Sequence, residues 1–187
     1  MTRIAMVAGR PHSGTTWLAR ILAEICDGST PVGGGKKTAS SNWRIERTHG
    51  EPQDRPYEIA ILTRRDPRDI LVSLCNRHPH QPPQKLAADL CGAWAAMLDR
   101  WRAVVPVETS YEALRADGAA EVVRLAREVF GKEIDGDFAL ACLNAYRPKR
   151  EPRPVGAWRQ DLSPELARFI EGAIGDRMED EGYAVGI

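Results

Sequence analysis

Eight residues near the N-terminus, Gly9-Arg10-Pro11-His12-Ser13-Gly14-Thr15-Thr16, carry the strongest chemical signal in the chain. Two glycines five positions apart let a backbone curl until successive N–H groups point inward. A helix starting just after them adds its partial positive charge. The product is a cradle for a phosphate-like anion. Its spacing follows the nucleotide pattern G-x-x-x-x-G-K-S/T, except that Thr15 stands where the lysine belongs. Enzymes that move a γ-phosphate set that lysine against the β- and γ-phosphates and place a hydroxyl on Mg²⁺. Without it, γ-phosphate transfer is poorly supported, whereas one 5'-phosphate group needs less charge and no metal.

A second anion site is written around residue 65. Arg65 follows the apolar run Tyr57–Thr63, and Ser73 comes eight residues after it. The arginine would leave the C-terminal edge of a strand, where open parallel sheets bind ligands, and the serine would lie two turns into the next helix. A guanidinium fork plus a hydroxyl suits a dianionic phosphate. Taken singly, Arg65 reads equally as a salt-bridging arginine and Ser73 as a solvated helix residue. Their order and their place on a second strand-to-helix turn make the case. Cys75, His78 and His80 form a C-x-x-H-x-H group, but no fourth ligand is evident and Pro79 favours a loop. No metal site is expected there; these residues fit the border of an acceptor pocket better.

The elements that must position these groups can be read from periodicity. Arg3–Ala8 is a short, nearly continuous apolar run, as in a strand covered on both faces. Thr15–Cys26 has helical spacing, residues 27–42 read as a mobile Gly/Ser-rich loop, and Trp43–Thr48 as a second short strand. Tyr57–Thr63 is a strong strand. Asp66, Pro67 and Asp69 then predict a helix start, with a capping side chain, proline at the first helical position and a carboxylate in the first turn. Leu86, Leu90, Trp94, Met97 and Trp101 mark the core face of a long amphipathic helix. Val104–Glu108 reads as a strand, followed by helices near Tyr111–Leu114, Ala119–Phe130 and Phe138–Ala145. Arg147–Arg159 is basic, proline-rich and irregular. A last helix presents Leu166, Phe169, Ile170, Ala173 and Ile174 on one face. Alternating strands and helices imply an α/β fold of three layers, with a central parallel sheet of about four strands in a single domain over 1–187.

Composition narrows the partners. The 187 residues hold 26 basic and 26 acidic side chains, so no global field steers the chain to nucleic acid or an anionic membrane. The N-terminal apolar run is too short for a signal-peptide core or a membrane span. Four scattered cysteines without a C-x-x-C pair read as reduced thiols of a cytoplasmic protein.

The residues also carry a resemblance. Pro11-His12-Ser13-Gly14-Thr15-Thr16-Trp17-Leu18 resembles the P-K-S-G-T-T-W-L signature of sulfotransferases that use 3'-phosphoadenosine 5'-phosphosulfate (PAPS). Arg65, Pro67, Asp69 and Ser73 match that family's second signature, and Gly92-Ala93-Trp94 with Trp101 is similar to its G-S-W…W helix. Tyr111-Glu112-Ala113-Leu114 resembles its Y-E-D-L segment, and Val155-Gly156-Ala157-Trp158-Arg159 its late V-G-x-W-K loop. The resemblance implies a P-loop fold that takes PAPS as co-substrate and needs no metal. Ser13, Gly14, Thr15 and Thr16 would grip the 5'-phosphosulfate, Trp17 would lie near the adenine, and Arg65 and Ser73 would hold the 3'-phosphate. Arg10, Tyr111, Gly156 and Trp158 complete the expected nucleotide site. The family's R-K-G stretch has no clear match here; Arg150 and Arg153 are both candidates for its contact with the 3'-phosphate.

By the same resemblance, Arg47-Thr48-His49 corresponds to a K-T-H segment, which makes His49 the general base that takes the acceptor's proton. His12 stands where the family has a lysine that stabilises the leaving group. Three readings stay open: His12 acts as an imidazolium, Arg10 replaces the charge, or the protein binds PAPS without turning it over. A protonated His12 and a neutral His49 together would give a bell-shaped rate around pH 6–7. The acceptor would be a small molecule, glycan or peptide. A small-molecule or nucleotide kinase and a non-catalytic nucleotide-binding module are the alternatives.

Overall fold

The computed structural model describes residues 2–26, 42–54, 56–146 and 154–186. Four strands, β1 (Arg3–Ala8), β2 (Trp43–Thr48), β3 (Ile59–Arg64) and β4 (Val107–Ser110), form one sheet in the order β2-β1-β3-β4. Every pairing is parallel. The chain leaves β1 toward one neighbour and returns to pair on its other side as β3. The order therefore reverses at β1 and β3, and a crevice opens above their C-terminal ends.

Burial on both faces explains the unbroken apolar character of β1. Ala5 and Val7 face one core with Ile45 and Ile61, and Met6 and Ala8 face the other with Ala60 and Leu62. The first core is closed by α1 (Thr15–Ile25) and by helices α5 (Gly118–Phe130) and α6 (Gly136–Ala145). The second is closed by α2 (Pro67–Arg77), α3 (Pro83–Arg102) and the C-terminal helix α8 (Pro164–Asp180). Two shorter helices, α4 (Tyr111–Ala116) and α7 (Trp158–Asp161), complete the chain order. Among the described residues no helix is long and apolar enough to cross a membrane.

The expected helix start at Asp66 forms as read, with the Asp66 side chain accepting from the Arg68 N–H. Two element readings shift. The fourth strand begins at Val107 rather than Val104, because Val105 sits at φ 51° and is 89% exposed, a turn and not a sheet residue. The last helix buries Ala167, Ile170 and Met178, whereas Phe169 is 48% exposed. Its backbone departs from helical angles at Ile174, which rotates the second half and spoils any single stripe read across it. The loop expected over 27–42 lies almost wholly outside the described residues.

One contact sets how the first turn leaves the sheet. A β-carbon on Gly9 would stand 2.5 Å from the Thr63 carbonyl oxygen and 2.6 Å from Ser13 Oγ. The turn thus lies directly against the end of β3, where Thr63 Oγ1 also donates to the Ser13 carbonyl at 3.1 Å. Gly9→Ala should cost about 1–3 kcal/mol of folding stability through this clash, read as a lower denaturation midpoint with an unchanged slope.

Candidate active site

Each strand delivers one part of the site from its C-terminal end. The turn 9–14 follows β1, His49 follows β2, Arg65 follows β3, and Tyr111 follows β4. These groups line one cleft of 1030 Å³, large enough for a nucleotide-sized ligand beside a second molecule.

The turn curls through two left-handed positions, His12 at φ 71° and Gly14 at φ 91°. A histidine held there is strained, and such strain collects at functional sites. Gly14 caps α1 without a side-chain hydrogen bond, and the first helical bond runs from the Leu18 N–H to the Gly14 carbonyl. The earlier N–H groups of the helix therefore have no helical partner, and Gly14, Thr15, Thr16 and Trp17 all line the cleft.

His49 Nδ1 is 2.5 Å from the Gly9 carbonyl oxygen. A carbonyl only accepts, so Nδ1 carries the proton and Nε2 is the basic nitrogen. Partial burial of the ring, aided by Arg47 and Arg10 and opposed by the Gly9 hydrogen bond, draws its pKa below 6.5. Arg47 lines the cleft and donates from Nη1 to Thr16 Oγ1 at 2.7 Å.

Arg65 and Ser73 converge on the turn as the two-site reading requires. Arg65 Nη1 donates to the His12 carbonyl at 3.1 Å, and Ser73 Oγ is 2.9 Å from His12 Nδ1. Arg65 is 7% exposed, its guanidinium carbon lies 4.1 Å from the centre of the Tyr111 ring, and its Nε has no partner among the described residues. Tyr111 in turn meets the Trp17 ring edge-on, with centroids 6.1 Å apart. Burial, then repulsion from Arg77, Arg65, His78 and His49, lowers the His12 pKa to about 4. Its ring is thus neutral at pH 7, and the imidazolium reading requires an anion beside it to raise that value.

Other expected ligands fall elsewhere. Ser13 is 1% exposed and does not line the cleft; its hydroxyl donates to the Arg10 carbonyl at 2.7 Å and so shapes the turn. Arg10 does not line the cleft either; burial, then repulsion from Arg100, lowers the pKa of its guanidinium. Trp158 turns away into a separate cavity of 320 Å³, its ring 3.9 Å from the Arg68 guanidinium. The reason is that Trp158 begins a helical turn whose side chain packs on Val72 and Ala167. Gly156 reaches the site only through its neighbour Ala157, which lines the cleft. Arg150 and Arg153 lie outside the described residues. His78 borders the cleft, whereas Cys75 and His80 do not.

Three contributors escaped the sequence reading. Asp69 is 1% exposed and accepts from the Gly156 N–H at 2.8 Å and the Trp158 N–H at 3.0 Å, clamping the late loop onto α2. Its place in R-x-P-x-D was the available signal. Arg47 and Arg77 also line the cleft; the match of Arg47-Thr48-His49 to K-T-H was the signal for the first, and only charge marked the second.

No family model and no curated protein sequence matches the chain. Solved structures do. A retinol dehydratase in complex with androsterone and inactive cofactor PAP superposes with a TM-score of 0.72 at 14% identity, covering 100% of this chain and 84% of that one. A mouse sulfotransferase complexed with PAP gives 0.70 at 16% identity, over 94% and 84% of the two chains. This is the sulfotransferase fold. A putative steroid sulphotransferase of Arabidopsis thaliana follows at 0.64 and 18% identity, over 98% and 78%.

A lowered histidine pKa has a checkable sign. The folded His12 pKa lies below the ordinary 6.5, so its contribution to stability is fully present above 6.5 and is lost as pH falls toward about 4. The ring resonances of His12 should titrate near 4 in the nucleotide-free protein, and His12→Asn should flatten part of the stability loss across that window.

Proposed function

We propose that this protein is a PAPS-dependent sulfotransferase, a single domain that moves a sulfuryl group to a hydroxyl or amine by in-line displacement. The observation that carries the reading is the meeting, at one cleft, of an anion-binding turn, the Arg65–Ser73 pair and a histidine whose tautomer is fixed by Gly9. The donor fits the residues present. The first-turn N–H groups of α1 lack helical partners, and Arg65 Nε and Trp17 Nε1 are buried without a hydrogen-bond partner among the described residues. Bound PAPS would supply an activated sulfuryl group and a phosphate leaving group.

The chain's own residues would then divide the work. The α1 terminus with Thr15 and Thr16 holds the 5'-phosphate, and Arg65 with Ser73 meets the 3'-phosphate. His49 Nε2 takes the acceptor proton. Arg47, tied to Thr16, supplies positive charge beside the leaving oxygen. A neutral His12 ring keeps one N–H whichever nitrogen holds the proton, so it can donate to the leaving oxygen without being charged. This answers the missing lysine without an imidazolium or Arg10.

The androsterone and retinol bound by neighbouring structures favour a small-molecule acceptor over a glycan or peptide. Cys26, Cys75, Cys91 and Cys142 form no disulfide among the described residues, which suits a cytoplasmic setting. A kinase is disfavoured by Thr15 at the lysine position. A binding module is disfavoured by the His49 geometry, which binding alone would not need.

His49→Ala should lower turnover about 10²- to 10⁴-fold while leaving affinity for adenosine 3',5'-bisphosphate within about twofold. Retained turnover would reject His49 as the base. In the wild-type protein, kcat/KM should rise with pH through a single limb below 6.5, where His49 loses its proton, and stay level above it. A fall between pH 7 and 9 would instead favour a charged His12.

A further inference from the structure

The two groups assigned to the 3'-phosphate are both already engaged. Arg65 Nη1 is on the His12 carbonyl with the guanidinium stacked on Tyr111, and the Ser73 hydroxyl is on His12 Nδ1. Arg77 is different. It lies four residues beyond Ser73 on α2, hence on the same helical face, and both side chains line the cleft. It makes no side-chain hydrogen bond or ion pair with any described residue, and it is exposed at the rim. Asp69, the one carboxylate among the described lining residues, is committed to the Gly156 and Trp158 N–H groups and does not neutralise it.

We propose that Arg77 determines donor specificity: it is the open cation of an Arg65–Ser73–Arg77 cluster and lets the cleft distinguish a 3',5'-bisphosphate from a 5'-monophosphate. The proposal rests on the donor reading above. A dianion drawn between α2 and the turn meets one buried, preorganised guanidinium at Arg65. It meets a second at Arg77, which gives up no partner among the described residues when recruited. Arg77 shares a helical face with Ser73, the group assigned to the 3'-phosphate, whereas the 5'-phosphate is assigned to the α1 terminus, so the Arg77 contribution falls on one phosphate and not on both. Repulsion from Arg77 at the His12 ring is consistent with a guanidinium close to that position.

The test is calorimetric titration of wild type, Arg77→Met and Arg77→Lys with adenosine 3',5'-bisphosphate and with adenosine 5'-monophosphate. Arg77→Met keeps the apolar stem and removes the charge at an exposed position, so the fold should be untouched. It should weaken the bisphosphate at least about tenfold and shift the monophosphate by less than about twofold, the loss of one charge-assisted contact. Arg77→Lys, which keeps charge without the fork, should fall between. Equal losses on both nucleotides, or none on the bisphosphate, would overturn the assignment while leaving the donor reading intact. A wild-type protein that does not prefer the bisphosphate would overturn the donor reading, and this proposal with it.

Discussion

Where β1 ends, the backbone of the first turn presses against the last residues of β3 so closely that position 9 has no room for a side chain. The rest of the site depends on that approach. Because the turn sits on Thr63, the residue two positions further along β3 is delivered beside the same turn, and Arg65 can reach the His12 carbonyl. A parallel pairing of β1 with β3, fixed by Ala8 opposite Leu62, places both loops on one edge at nearly one height. The two candidate anion sites are thus neighbouring consequences of a single strand pairing.

The core and the site share their supports. The long helix α3 buries Trp94 and Trp101 completely, as its apolar stripe requires, yet each indole must find an acceptor once it is removed from water. Trp94 Nε1 donates to the Arg65 carbonyl at 3.2 Å and Trp101 Nε1 to the Gly50 carbonyl at 3.0 Å. Arg65 and the residue after His49 are therefore pinned by the hydrophobic core. On the other side of α2, Arg68 is buried between Asp66 and Glu171 and also donates to the Ala184 carbonyl. A buried charge without those partners would be costly; with them it locks the helix that carries Ser73 and Arg77.

Electrostatics in the cleft run against the protein's neutral total. Arg47, Arg65 and Arg77 line it with three histidines, while the lone carboxylate among the described lining residues is turned to backbone N–H groups. Crowding of like charge and partial burial keep His12 and His49 deprotonated at neutral pH. One stays able to accept a proton and the other able to donate a hydrogen bond, with permanent charge left to arginine. That division suits chemistry in which negative charge arrives with the donor and then shifts to the leaving oxygen.

What the sequence determined by itself was local. The strand-turn-helix at 3–25, the capped start at Asp66, the core stripe of α3 and the glycine turn all follow from spacing and residue type within a few positions. Arg65 and Ser73 were legible as candidates from their place on a strand-to-helix turn, whereas His49 was a candidate only through the resemblance carried by Arg47-Thr48-His49; the structure brings all three to one cleft. The tertiary structure alone decided which way side chains turn once elements pack. Ser13 faces its own turn, Trp158 turns to a second cavity, and Asp69 clamps a loop 87 residues away. The pairing of His49 with Gly9, 40 residues apart, belongs to the same class. Such contacts depend on distances between strands and helices that no local pattern encodes, because periodicity tells which face is buried but not what lies opposite it.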